Sequence, residues 1–166
     1  LRVKLPHLDA WSTARQVNAT RYGELFAAAD LADCVTVPGE EPRGRHVWNQ
    51  YVVRIAAGQR DALRAHLAAH GVGSEIYYPV PLHVQQCFEH LGWRTGDLPH
   101  TEQAAAETLA LPIFPELTAA EQRTVVARIA EFFHASRPAA TIPAAETLRG
   151  PHFLRRAVGK ADEVRS

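Results

Sequence analysis

Apolar side chains in the first 29 residues recur at steps of mostly three and four, the spacing of one face of an α-helix. The positions that share this spacing are Leu1, Leu5, Leu8, Trp11, Ala14, Ala19, Tyr22, Leu25 and Phe26. Pro6 interrupts the pattern and predicts either a kink or a helix that enters from preceding residues. Because no capping residue precedes Leu1 and the chain contains no methionine, we expect these 166 residues to be part of a longer protein.

Three further stretches carry the features of strands. Residues 47–55 are rich in aromatic and β-branched side chains and predict a strand that is partly covered on both faces. Residues 73–78 predict a second strand, which Pro79 and Pro81 end. Residues 109–115 are apolar but contain two prolines, so they predict an ordered extended loop or a short edge strand.

Helical patterns occupy the segments between and after these strands. Residues 58–70 predict a helix, with Gly71 placed for a left-handed C-terminal cap. A short helix is predicted over residues 83–90 and an alanine-rich one over residues 101–109. A capping box, Thr118 with a glutamate three residues later, predicts where the last helix begins. The apolar face of that helix is formed by Val125, Ile129, Phe132 and Phe133.

This succession of elements predicts an α/β or α+β domain with a short sheet packed with helices. We expect residues 1–30 to form a long linking helix and residues 31–134 to form the domain itself. Prolines, alanines and a charged end predict a flexible tail over residues 135–166. Hydrophobic residues make up 46% of the chain, which indicates a folded protein.

The charge balance and the cysteines exclude several kinds of protein. The chain carries 18 basic and 18 acidic residues, so it has no basic excess to hold a polyanion, and we expect no nucleic-acid partner. No run approaches the roughly 18 apolar residues of a membrane span, and the first ten residues do not resemble a signal peptide. Cys34 and Cys87 fit no disulfide framework or metal motif, which predicts a reduced, cytoplasmic protein.

Five motifs follow one another along most of the chain. They are L-R-V-K-L-P-H-L-D at residues 1–9, H-V-W-N-Q-Y-V-V-R at 46–54, R-D-A-L with L-x-x-x-G-V at 60–72, Y-Y-P-V-P-L-H at 77–83, and L-A-L-P-I-F-P-E-L-T at 109–118. The ordered set resembles the C-terminal region of the DegT/DnrJ/EryC1/StrS family of sugar aminotransferases.

The resemblance implies the fold-type I architecture of the aspartate aminotransferase class. In that class a large domain holds pyridoxal phosphate, and a small C-terminal domain packs over the site. This chain would be the small domain with its linking helix, and the coenzyme would be bound mainly by an N-terminal domain that the chain lacks. The complete enzyme would be a homodimer that transfers an amino group from an amino acid, glutamate in our interpretation, to a nucleotide-linked keto-sugar.

The positions of the lysines agree with the assignment of this chain to the small domain. A transaminase needs a lysine amine that forms a Schiff base with the coenzyme. Lys4 lies in the patterned first helix and Lys160 in the polar tail, and there is no other lysine. Both are interpreted as surface charges. We therefore assign no catalytic residue to this chain and predict that it is inactive alone.

Tyr77, Tyr78 and His83 are the candidate substrate-binding residues. A strand that ends in Pro-x-Pro is held stiffly extended, so its side chains can be directed at a ligand at a small entropic cost. The resemblance implies that His83 approaches the sugar, and both an imidazole and a phenol can hydrogen-bond sugar hydroxyls. The alternative is that the two tyrosines only straddle the sheet, one in the core and one outside.

Two groups of residues that contain histidines are candidates for metal ligands. His66 and His70 lie four residues apart on a predicted helix, but the glutamate of the zinc-protease motif is absent, so they are interpreted as solvent-facing. His83, Cys87 and His90 have no carboxylate in register. The sequence therefore predicts no metal site.

Two alternatives to an aminotransferase stay open at this point. One is a non-catalytic small-domain module that binds a partner chain or a sugar nucleotide. The other is a family member that has lost activity and serves in regulation. An in-frame, lysine-bearing segment upstream of Leu1 would decide for the enzyme.

Overall fold

The structure of the chain, a computed structural model, describes residues 2–39, 43–55 and 58–136. Four helices lie within these ranges: α1 (Leu8–Ala28), α2 (Arg60–Ala69), α3 (Pro99–Glu107) and α4 (Ala119–Ser136). The strands are β1 (Val35–Thr36), β2 (Tyr51–Ile55) and β3 (Thr108–Leu111). Short 3-10 helices cover Leu5–His7, Leu82–Val84 and Gln86–Leu91. The part of the predicted tail from residue 137 onward lies outside the described residues.

The three strands form one small antiparallel sheet in the order β1-β2-β3. Tyr51 pairs with Leu111 and Val53 with Leu109 across β2 and β3. An antiparallel sheet accompanied by helices confirms the predicted mixed domain and agrees with its α+β alternative. β3 lies at an edge of the sheet. A short edge strand was one of the two alternatives predicted for residues 109–115.

The core lies between one face of this sheet and three helices. β2 alternates as a half-covered strand does, with Tyr51, Val53 and Ile55 buried and Arg54 exposed. The helices α1, α2 and α4 supply the rest of the buried cluster, which includes Tyr22, Phe26, Leu63, Leu67, Val125, Ile129 and Phe133. The assignment of residues 1–30 as a linking helix stays a prediction, although α1 shares this core.

Local sequence signals correctly predicted the end of α2 and the start of α4. Gly71 has a φ of 73°, the left-handed conformation expected after α2. The backbone N–H of Thr118 donates to Glu121 Oε2 at 2.8 Å, and the N–H of Glu121 donates back to Thr118 Oγ1 at 3.3 Å. This reciprocal pair confirms the predicted capping box at the start of α4. Pro6 lies in the 3-10 helix that precedes α1, so it marks the entry into that helix.

The predicted strand over residues 73–78 is wrong. Within the described residues only Glu75 pairs with the sheet there, through a single bridge to Ala110 with N···O distances of 3.1 and 2.8 Å. Strand-favouring side chains reflect fit to a half-covered surface, whereas a strand also needs a run of paired backbone groups. The segment instead leaves the sheet edge after Glu75.

The strand predicted from residue 47 begins four residues later, at Tyr51. Trp48 has a φ of 49°, which interrupts the extended backbone. Its indole ring is buried, and Nε1 donates to Gln16 Oε1 at 3.0 Å. Residue 48 therefore anchors the approach to β2 against α1. Trp48 therefore belongs to a loop, although the composition around it is typical of a strand.

A buried polar network joins α1 to α4. Gln122 is completely buried, and its Nε2 donates to the backbone oxygen of Asn18 at 2.7 Å. Gln122 Oε1 accepts from Arg21 Nη1 at 2.8 Å. The side chain of Asn18 donates to the backbone oxygen of Phe114 at 2.9 Å. These bonds hold α1 against α4 and against the segment that follows β3.

None of the described helices is both long enough and apolar enough to cross a membrane.

Candidate substrate groove

A groove of about 430 Å³ lies on the sheet face opposite the core. Val52 and Ala110, which pair in register on that face, lie at its base. Thr101 and Ala104 of α3 line one side, and residues 77, 78 and 80–82 line the other. The volume lies in the range of pockets that accept a small organic molecule.

Tyr77 and Tyr78 both line this groove. Tyr77 is 50% exposed and Tyr78 68% exposed, so neither side chain lies in the core. Among the described residues, the structure gives neither hydroxyl a hydrogen-bond partner. The arrangement in which one tyrosine enters the core is therefore not the one observed. Both phenols stay available to a ligand as donors and acceptors.

His83 lies behind the groove and does not line it. The residue is only 7% exposed, on the 3-10 helix Leu82–Val84, and its Nε2 lies 3.0 Å from Glu102 Oε1. Its Nδ1 is buried and has no hydrogen-bond partner among the described residues. The structure therefore brings Tyr77 and Tyr78 together and leaves direct contact between His83 and a sugar as a prediction.

Glu102 links α3 to two neighbouring segments. Besides His83, it accepts the backbone N–H of Gly96 on both carboxylate oxygens, at 2.8 and 3.0 Å. The Gly96 N–H, followed by the bond to His83, holds the pKa of the Glu102 carboxyl below its ordinary value, although partial burial acts in the opposite direction. Glu102 thus fixes the groove side of α3 against the chain that carries His83.

Sequence reasoning missed Glu102 and the small residues of α3. An acidic residue in the first turn of a helix is a weak sign, since the helix dipole alone favours it there. Thr101, Ala104 and Ala105 line the groove because they are small, and small side chains carry no chemical signature in a sequence.

Loss of the Glu102 charge is expected to make stability less sensitive to acid. The folded-state pKa lies below the unfolded value near 4.5, so the carboxylate contributes stability that is present above pH 4.5 and is lost as the pH falls through the folded pKa. Urea unfolding at several pH values should therefore show Glu102→Gln less stable than the parent near pH 7. The difference should shrink as the pH falls below 4.5. Glu89→Gln, at an exposed position, is the matched control. A difference that stays constant with pH would contradict the assignment.

The protein family of the chain is established by its similarity to known sequences. Residues 1–130 match the sequence profile of the DegT/DnrJ/EryC1/StrS aminotransferase family. The chain belongs to this family. The family that the ordered motifs predicted is thereby confirmed, and the groove lies within the matched residues.

Three relatives illustrate the match to this family. A pleiotropic regulatory protein of Geobacillus stearothermophilus is 45% identical over 80% of this chain and 35% of its own length. A dTDP-3-amino-3,4,6-trideoxy-α-D-glucose transaminase of Streptomyces venezuelae is 34% identical over 80% of this chain and 34% of its own length. The crystal structure of DesV from S. venezuelae, in complex with a ketimine intermediate, superposes with a TM-score of 0.72 at 32% identity, over 79% of this chain and 34% of that one. The chain spans about a third of the length of these relatives.

Proposed function

We propose that this chain supplies the small C-terminal domain of a pyridoxal-phosphate-dependent aminotransferase. The complete enzyme would transfer an amino group from an amino acid, with glutamate as the expected donor, to a keto-sugar carried on a nucleotide diphosphate. The family match over residues 1–130 carries the proposal. The sugar-transaminase name of the S. venezuelae relative supports the substrate class. The family resemblance also leads us to propose a homodimer and a cytoplasmic location.

The contribution of this chain would be to orient the sugar and to exclude water from it. The phenols of Tyr77 and Tyr78 can hydrogen-bond sugar hydroxyls, and the apolar base formed by Val52 and Ala110 suits the C–H face of a sugar ring. Pro79 and Pro81 restrict the backbone beside the tyrosines, so little freedom is lost when a ligand binds. Fixed orientation of this kind lowers the entropic barrier of the transfer step.

We infer that the coenzyme is held mainly by residues outside this chain. Lys4, the one lysine among them, is exposed, and it precedes the 3-10 helix Leu5–His7 rather than lining the groove. When bound to an aminotransferase, pyridoxal phosphate supplies an electron sink for amino transfer. We assign that chemistry to residues outside this chain and derive none of its steps from the groove.

Pyridoxal phosphate is expected to form no stoichiometric adduct with the 166-residue chain. A Schiff base competes with water and reaches stoichiometric amount where a site binds the coenzyme and activates the amine, whereas Lys4 is exposed and does not line the groove. Incubation with the coenzyme, borohydride reduction and intact-mass measurement check this. A chain extended by a lysine-bearing segment of the same protein is the positive control. One reduced pyridoxyl group per unextended chain, at Lys4 or Lys160, would contradict the proposal.

A regulatory role without catalysis is the second candidate function. The observation that favours it is the name of the 45% identical relative, a pleiotropic regulatory protein. The half-reaction with the amino-acid donor distinguishes the two functions. A complete protein that carries the coenzyme should convert it to the amine form with an amino-acid donor if it is an aminotransferase. A complete protein that binds a nucleotide sugar but leaves every amino-acid donor unchanged would favour the regulatory role.

A further inference from the structure

Three possible metal ligands meet where α2 packs against α4, away from the groove. His66 lies on α2 and His70 directly follows the last residue of that helix, with the two ring centroids 4.3 Å apart. Glu131 reaches the same place from α4, and one ligand atom from each of the three residues lies within 4.8 Å of the other two. Tetrahedral zinc, with bonds of about 2.0–2.1 Å to nitrogen and oxygen, places its ligand atoms about 3.3 Å apart. Small rotations of the three side chains would close that shell.

The tautomer of His70 suits a metal ligand. Its Nδ1 lies 2.8 Å from the backbone oxygen of His66. A carbonyl oxygen only accepts, so Nδ1 donates in this contact, and in the neutral imidazole Nε2 then keeps its lone pair. Histidines that bind metals commonly donate their other ring N–H to a backbone carbonyl in this way, which also fixes the orientation of the ring.

The other two side chains each have a ligand atom that no hydrogen bond within the described residues uses. His66 Nε2 is buried and makes no hydrogen bond within the described part of the chain. A buried polar atom without a partner costs free energy unless water or an ion completes its contacts. Glu131 Oε2 accepts from Arg128 Nη1, with the two atoms 2.6 Å apart, so the guanidinium orients the carboxylate. Oε1 remains for an ion.

The chemistry of the ligand set selects among divalent cations. Two imidazoles and one carboxylate suit zinc and similar transition metals, whereas magnesium and calcium prefer shells made of oxygen atoms. The neighbouring charge of Arg128 opposes any cation, so an ion that gains most of its affinity from imidazole nitrogen is favoured over one that is held by charge alone.

We propose that His66, His70 and Glu131 bind a zinc-class divalent metal ion that ties α2 to α4. Three protein ligands leave at least one position for water. None of the three residues lines the groove, so the site does not depend on the proposed aminotransferase function. Because the ligands come from two parts of the fold, the ion would bind the folded state in preference to the unfolded chain and would stabilise it.

The sequence alone predicted no metal site. The Glu131 carboxylate is 61 residues from His70 in the chain, and only the fold brings the two side chains near each other.

Metal titration of the untagged, chelator-treated chain tests the site. Zinc chloride should bind with one ion per chain by calorimetry and should raise the melting temperature. Cobalt chloride should give the visible absorption of a four-coordinate site. Magnesium chloride should show neither binding nor stabilisation. His70→Ala and Glu131→Gln change exposed side chains, so circular dichroism should stay unchanged while zinc affinity falls at least about tenfold.

His100→Ala, which removes an exposed histidine from α3, is the matched control and should leave zinc affinity unchanged. The absence of one-to-one zinc binding to the parent chain would overturn the proposal. Affinity that survives His70→Ala would mean that zinc binds elsewhere, and this would overturn it too. Affinity that falls in His70→Ala but stays unchanged in Glu131→Gln would show a histidine pair alone, and the site that bridges the two helices would be rejected.

Discussion

Replacing Gln122 by leucine is expected to lower the free energy of unfolding by about 2–4 kcal/mol. The side chain is completely buried and holds the Asn18 carbonyl and the Arg21 guanidinium at 2.7 and 2.8 Å. Leucine fills a similar volume but cannot bond to either group, so a carbonyl and part of a charged group lose a partner in a place with little water. Urea unfolding followed by circular dichroism measures the loss.

The matched control for this substitution is Gln86→Leu. Gln86 is exposed on a 3-10 helix, so the same change of side chain should alter the free energy of unfolding by less than about 0.5 kcal/mol. A loss below about 1 kcal/mol for Gln122→Leu would mean that water reaches the network and satisfies the abandoned groups. The network would then not be what holds α1 in place.

In the complete enzyme, His83→Ala is expected to slow the half-reaction with the keto-sugar by about 100-fold and to change the half-reaction with the amino donor far less. The hydrogen bond between His83 and Glu102 joins the 3-10 helix Leu82–Val84 to α3. Within the described residues, no other side-chain hydrogen bond joins these two elements. That bond holds the tyrosine-bearing side of the groove against the α3 side. A displacement of about 1 Å in an orienting group can cost two orders of magnitude in rate.

Single-turnover kinetics of each half-reaction separate these effects. Glu102→Ala should reproduce the loss, because it breaks the same bond from the other end. His90→Ala, at an exposed position of the next 3-10 helix, should leave both half-reactions unchanged. Equal losses in both half-reactions would show that His83 serves the fold as a whole rather than the sugar. A loss in His83→Ala without one in Glu102→Ala would indicate direct contact between the imidazole and the sugar.

The features that were predictable from the sequence are those whose causes lie within a few residues. The capping box at Thr118 and the left-handed Gly71 need only their neighbours along the chain. The same holds for the apolar stripe of α2, whose spacing places Leu63 and Leu67 on one face. The family was predictable because its motifs are ordered over a long stretch, so no single motif had to decide.

The features that were missed depend on residues far apart in the chain. The strand predicted at residues 73–78 had suitable side chains, but no local signal tells whether a neighbouring edge is free to pair. Glu102 and His83 are 19 residues apart, and Gln122 bonds to Asn18 over a separation of 104 residues. A glutamate or glutamine looks the same in a sequence whether it faces water or completes such a bond. Tyr77 and Tyr78 were predicted as substrate contacts because they precede a stiff Pro-x-Pro segment, and this role stays a prediction.

The bridge between Glu75 and Ala110 closes one edge of the sheet to other strands. The outer edge of β3 has hardly any backbone group left for a foreign strand. Both backbone groups of Ala110 are taken by Glu75, the carbonyl of Thr108 accepts from Arg60, and Pro112 has no N–H to donate. A blocked edge of this kind prevents sheets of different molecules from joining into fibrils. The protein is thereby protected on this side against amyloid-like aggregation, without a charged gatekeeper on the strand itself.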